Sequence, residues 1–156
     1  MNVLIIYASK YGCTADCAAY LKDKLSGNVK LADINKTMIQ LDEYDSVIIG
    51  ASVYMGKISK TLRKFCTDNK GALLNKKAGL FLCCAQSEQA DSFLSGNFPS
   101  ELIKNAAATG NFGSEARLEK MGFLDKTIIK AVSKGDFSNF KILYENIDKF
   151  AKDFNK

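Results

Sequence analysis

The chain has 156 residues, 47% of them hydrophobic and 25% charged, with one proline, five cysteines, no histidine and a net charge of +5. These figures exclude a disordered or fibrous chain and any histidine-based triad or mixed Cys/His metal centre. No apolar stretch approaches the roughly 20 residues of a membrane-spanning helix.

From the N-terminus, Met1-Asn2 leads directly into the apolar run Val3–Tyr7 with no basic region before it. That run is too short for the core of a signal peptide, so a cytoplasmic location is expected. Cys13, Cys17, Cys66, Cys83 and Cys84 are odd in number and contain no C-x-x-C pair. Neither a disulfide framework nor a bound metal is expected from that spacing. No block of five basic residues and no aromatic-bearing RNA motif occurs, so nucleic acid is not an expected partner.

Further short apolar runs follow at Val29–Ala32, Val47–Ala51 and Gly79–Cys84, with a weaker run of small residues at Ala106–Thr109. Continuous runs without alternation suit strands covered on both faces, as in a parallel sheet. Between them the period changes. Thr14, Ala18, Leu21 and Leu25 recur at helical steps, and Ser59–Cys66 turns Leu62, Phe65 and Cys66 to one side. Pro99 can open a helix over Glu101–Asn105. Phe140, Leu143, Tyr144, Ile147, Phe150, Ala151 and Phe154 make one broad stripe in the last helix. Only Ile34–Asp45 joins the second strand to the third, which leaves room for little more than a short helix around Met38–Leu41. Repeated βαβ units with right-handed crossovers result. No linker or repeat divides residues 1–156, so one domain is expected.

In such a sheet, ligands lie beyond the carboxyl ends of the strands, where strand order reverses. The turn Ser9-Lys10-Tyr11-Gly12-Cys13-Thr14 falls at such an end and opens a helix. Unpaired N–H groups and the positive end of the helix dipole favour phosphate there. Ser9 and Thr14 add hydroxyls, and Gly12 permits a positive φ. A plain N-cap by Thr14 is the competing reading. Other phosphate chemistries lack their residues: G-x-x-x-x-G-K-[ST] and G-x-G-x-x-G are absent. The residue six beyond Cys13 is Ala19, where a cysteine phosphatase needs arginine. A phospho-acceptor receiver needs aspartate where the third strand ends in Gly50-Ala51-Ser52.

Ser9–Thr14 resembles the [ST]-x-[ST]-G-x-T phosphate loop of flavodoxins, with Tyr11 departing at the third place. "VIIGASVYMGKISKTLRKF", Val47–Phe65, is similar to the flavodoxin-like subfamily that includes the menaquinone-dependent protoporphyrinogen oxidases. "RLEKMGFLDKTIIKAV", Arg117–Val132, resembles the insert which that subfamily carries before its last helix. The resemblance implies a flavodoxin-like α/β three-layer sandwich with a five-stranded parallel sheet of order 2-1-3-4-5. It also implies a non-covalent FMN and electron-transfer or oxidoreductase chemistry. Ser9, Lys10, Tyr11, Gly12, Cys13 and Thr14 would hold the phosphate. Ser52, Val53, Tyr54, Met55 and Gly56 would form a second loop against the flavin ring, and Cys84, Ala85 and Gln86 a third. No side chain stands out as a proton donor or nucleophile, so the flavin would be the reacting group and no catalytic residue is assigned.

Two features depart from a simple electron carrier. Between Arg117 and Lys134, five basic residues stand against two acidic ones, beside Leu118, Met121, Phe123, Leu124, Ile128, Ile129 and Val132. That segment suits a peripheral contact with an anionic membrane, a quinone site, or a helix that merely covers the sheet. The third loop has no aromatic directly after its strand, so Tyr54 alone is placed to cover one ring face. The other face is left open or closed by Phe93, Phe98 or Phe112. A redox partner protein or a quinone is the expected partner, and a cofactor-free binding module is the rival class.

Overall fold

Five strands and seven α-helices follow one another along the chain, with no helix between the second and third strands, and the computed structural model describes residues 1–156. The order is β1 (Asn2–Ala8), α1 (Cys13–Lys24), β2 (Asn28–Asp33), β3 (Ser46–Ser52), α2 (Lys60–Asp68), α3 (Lys70–Leu74), β4 (Lys77–Cys83), α4 (Ala90–Asn97), α5 (Ser100–Asn105), β5 (Ala106–Asn111), α6 (Phe123–Ser133) and α7 (Tyr144–Asn155). All strand pairs are parallel, in the order β2-β1-β3-β4-β5.

The period-two geometry of a strand sends its side chains alternately into two cores. Leu4 and Ile6, Val47 and Ile49, Leu80 and Leu82 face α2, α3 and α5, where Leu62, Cys66, Leu73 and Leu102 meet them. Val3 and Ile5, Ile48, Phe81 and Cys83 face α1 and α7, meeting Cys17, Ala18, Leu21, Ile147, Phe150 and Phe154. Both faces are thus apolar, which is why the strands read as unbroken runs. Gly50 is fixed by this packing: a Cβ there would lie 2.0 Å from Cζ of Phe81. Phe81 itself stacks on Phe112, with ring centroids 4.3 Å apart.

Ser59 caps α2 by accepting from the Leu62 N–H at 3.4 Å, and Pro99 precedes α5. Two expectations are corrected. Residues 38–41 form no helix: Met38 is exposed, Leu41 is buried, and the chain there has no regular secondary structure. The dozen residues of this crossover must return along the length of the sheet, and a helix, rising about 1.5 Å per residue, would shorten their reach. Nor does α6 seal the sheet. No residue of α6 is buried, and Phe123 and Leu124 are 82% and 74% exposed. It lies instead over the loops at the carboxyl ends of the strands. No helix is long and apolar enough to cross a membrane.

Candidate functional site

Strand order reverses between β1 and β3, and the loops that leave their carboxyl ends diverge there. The first loop turns at Gly12, whose φ of 90° lies in the left-handed region. Gly12 N–H donates to Ser9 Oγ at 3.0 Å, which closes the turn. The first helical bond of α1 runs from Asp16 N–H to Gly12 C=O. Cys13, Thr14 and Ala15 therefore present N–H groups without intrahelical partners. Thr14 does not cap the helix by its side chain. It is fully buried, and its Oγ lies 2.5 Å from Ser52 Oγ, which ties the first loop to the end of β3. Arg117 lies over the same turn. It donates to the Tyr11 carbonyl at 3.2 Å and pairs with Asp16 at 2.6 Å and Glu115 at 2.8 Å. Its Nη1 is 2.9 Å from where a Gly12 Cβ would stand.

The second loop is a two-residue reversal. Tyr54 and Lys57 exchange both backbone hydrogen bonds, at 2.9 and 3.0 Å, with Met55 (φ 50°) and Gly56 (φ 76°) between them. Two successive positive φ values make the primed turn that closes tight hairpins. A left-handed methionine is strained, and such strain persists where the surroundings hold it. Asn97 supplies that hold from α4. Its amide donates to Gly56 C=O at 2.9 Å and Phe93 C=O at 2.8 Å, and its oxygen accepts from Ile58 N–H at 3.1 Å.

Asn111, at the end of β5, fixes the third loop in the same manner. It accepts from Cys84 N–H and donates to Cys84 C=O, each at 3.0 Å, and accepts from Gly113 N–H at 3.2 Å. The Cys84 backbone is therefore occupied, and its thiol is buried and pushed up in pKa by that burial. Ala85 and Gln86 face the cavity, whereas Cys84 supports them from behind. Cys13 likewise points inward, towards Cys17 and Cys83, so only its backbone belongs to the first loop.

Two cavities flank Tyr54 and Met55, and both residues line both of them. One, of about 810 Å³, runs past Ala8, Ser9, Lys10, Asn35 and Ser52. The other, of about 390 Å³, is an apolar slot between Val53–Gly56 on one side and Ala85, Gln86 and Phe93 on the other. Ile128, Ile129 and Val132 of α6, with Phe140, form its outer wall. Of the three aromatics proposed for the second ring face, only Phe93 lines this slot. Phe98 and Phe112 are core residues, 5% and 0% exposed.

The wall is fastened by one carboxylate. Asp125 of α6 pairs with Lys10 at 2.7 Å, accepts from Tyr54 OH at 2.8 Å and accepts from Tyr11 OH. Lys10, then Tyr11 and Tyr54, hold the Asp125 carboxyl down to a pKa of about 2. Lys10 Nζ also lies 4.7 Å from the Tyr54 ring centre, within cation–π range. Asn97, Asn111 and Asp125 were not singled out by the sequence, and each positions or lines a loop that was.

A parallel sheet with cavities at its reversal point, beside a helix N-terminus, is the arrangement in which α/β proteins place their ligands. The Flavodoxin domain family matches residues 4–140, and the chain belongs to that family. Oxidised flavodoxin 1 from Bacillus cereus has a similar structure, with a TM-score of 0.60 at 17% identity over 99% of this chain and 97% of that one. A flavodoxin from the domain Archaea gives 0.59 at 13% identity, over 100% of both chains. A flavoprotein from Lactobacillus acidophilus NCFM, solved in complex with FMN, gives 0.55 at 16% identity over 70% of this chain and 92% of that one. No curated protein matches the chain in sequence.

Proposed function

We propose that the protein binds FMN non-covalently and serves redox chemistry through it. The observation that carries this reading is the pairing of the apolar slot with the unpaired N–H groups of Cys13, Thr14 and Ala15. The residues fit the group. Ser9–Thr14 offers amides and hydroxyls to a phosphate, with Arg117 as a nearby cation. Ser52–Gly56 with Ala85 and Gln86 offers backbone and small side chains to a flat ring, and Tyr54 and Phe93 stand where ring faces need cover. Slots of a few hundred Å³ are the ordinary size for such ligands. Bound there, a flavin supplies one- and two-electron transfer. The protein binds and orients it and keeps water from the slot.

A second, narrower reading is a quinone-linked oxidase of the kind typified by the protoporphyrinogen oxidases. It is favoured by Ile128, Ile129 and Val132, which wall the slot where an electron carrier would leave a ring edge open to a partner protein. Phe123 and Leu124 project outward beside Lys120, Lys126 and Lys130, a combination suited to an anionic membrane surface, where a quinone resides.

The deciding experiment is a parallel titration with FMN and riboflavin. Each hydrogen bond to the phosphate is worth about 1.5–3 kcal/mol, so FMN should bind tighter by orders of magnitude and turn the protein yellow. Equal affinities would remove the phosphate assignment. A colourless protein that ignores both ligands would mark a cofactor-free binding module.

A further inference from the structure

Three of the five cysteines meet beneath the first loop. Cys13 and Cys17 stand one turn apart on α1, so their side chains leave the same face. Cys83 ends β4 on the side of the sheet that α1 covers. Their three sulfur atoms all lie within 4.8 Å of one another, and the residues are only 7%, 1% and 2% exposed. The other two cysteines stand apart. Cys66 belongs to the opposite core, and Cys84 turns its thiol towards Gln86.

We propose that Cys13, Cys17 and Cys83 form a three-thiolate site for one soft d10 cation of the Cu(I) class. Metal–sulfur bonds of about 2.3 Å in a trigonal plane place sulfurs about 4 Å apart, so the three thiols close on an ion by moving less than about 1 Å. The donor set is all sulfur, and thiolates select soft metals. Zinc asks for a fourth ligand. The chain has no histidine, Asp16 and Glu115 are held at the surface by Arg117, and the three cysteines belong to an apolar cluster that includes Ala18, Phe81 and Phe112. Calcium and magnesium ask for oxygen ligands that this cluster does not offer. A three-coordinate site with dry, apolar surroundings therefore favours Cu(I). On binding, each thiol releases its proton to solvent as its sulfur bonds the metal, and no electron is transferred. The net negative charge of the loaded site lies at the first turn of α1, where the helix dipole and Arg117 oppose it. Cys13 is the most exposed of the three and gives the route of entry.

The test does not depend on flavin binding. Reduced full-length protein is titrated anaerobically with Cu(I) against a chromogenic Cu(I) chelator. One equivalent should be retained, with a thiolate-to-copper charge-transfer band in the ultraviolet. Altering groups that merely support metal ligands weakens sites by about 10–100-fold, so loss of a ligand in Cys17→Ser or Cys83→Ser should weaken retention by about a hundredfold or more. Cys66→Ser and Cys84→Ser should retain copper as the parent does. X-ray absorption on the unaltered protein provides an independent measure should the buried variants fold poorly: a shell of three sulfurs is expected. Failure to compete with the chelator, retention indifferent to Cys17 and Cys83, or a shell of two sulfurs would each overturn the assignment.

Discussion

Asp125 in the first turn of α6 accepts a hydrogen bond from Tyr54 OH at 2.8 Å, joining the outer wall of the slot to the loop that forms its floor. The same carboxylate pairs with Lys10 and accepts from Tyr11, so one side chain spans three elements of the site. Because these partners lie near the surface, the contact adds little to global stability. Its effect falls on whether the wall stays closed. Asp125→Asn should therefore raise the rate of FMN release several-fold, followed by stopped-flow recovery of free-flavin fluorescence. The melting temperature of the flavin-free protein should stay within a degree or two of the parent. An unchanged release rate would show that α6 does not gate the slot.

The contacts of Asp125 also make a prediction about pH. Hydrogen bonding to Asp125 raises the phenol pKa values of Tyr11 and Tyr54 above the ordinary value near 10. A group whose pKa is raised on folding contributes most below its unfolded value and loses that contribution as pH climbs through the folded one. Asp125 works in the opposite direction. Its pKa is depressed to about 2, so its contribution is present above the usual carboxylate range near 4 and lost only in strong acid. The wall should accordingly stay fastened across neutral pH and loosen at either extreme. Ultraviolet titration of the phenols should show Tyr7, raised by burial and Asp33, ionising late in the parent along with Tyr11 and Tyr54, two tyrosines raised by Asp125. In Asp125→Asn those two should move back towards 10.

The strands were legible because β1, β3 and β4 are buried on both faces, which forces unbroken apolar runs. The first loop was legible for a similar reason: a strand, a glycine with positive φ and a helix start follow one another within a few residues. What escaped was set by distant partners. Asn97 sits in a short helix with little apolar pattern, and nothing local shows that its amide reaches Gly56 and Ile58. Asp125 reads as one acid among lysines until α6 folds over the loops. The sulfur cluster is hidden likewise, since Cys83 joins Cys13 and Cys17 only when the end of β4 and α1 come to the same face of the sheet. Local periodicity records burial, and it carries no trace of which polar group will be fixed by which.

Asn97 offers a test of how far the second loop depends on its support. Its three hydrogen bonds are made from a residue 5% exposed, and Ile58 is 4% exposed. Asn97→Ala would leave the Ile58 N–H without a partner in an apolar site, which costs about 1–3 kcal/mol for one buried group. The expected loss in urea denaturation is about 2 kcal/mol. Freed from the Gly56 anchor, the strained Met55 turn should also relax, so FMN affinity should fall by more than stability alone explains. A stability loss with unaltered FMN affinity would show that the turn holds its own shape.

The last prediction separates the two redox readings by substrate class, using the residues that wall the slot. Ile128, Ile129 and Val132 present aliphatic surface to the cavity, while Lys126 and Lys130 lie on the same helix. If an apolar quinone enters beside them, its binding draws on burial of nonpolar area, worth about 25 cal/mol per Å². A small hydrophilic acceptor such as ferricyanide needs only the approach of an electron to the flavin edge. Ile128→Ser with Val132→Ser removes aliphatic surface and leaves the loops that would hold FMN intact. Val132 is already 56% exposed, so the pair should not disturb the core. The expected result is unchanged FMN affinity and unchanged turnover with ferricyanide, together with a KM for a short-chain naphthoquinone raised about tenfold, the equivalent of about 1.4 kcal/mol. Quinone kinetics that ignore both substitutions would place the acceptor elsewhere and favour electron delivery to a partner protein. Equal losses with both acceptors would instead show that α6 acts on the flavin itself.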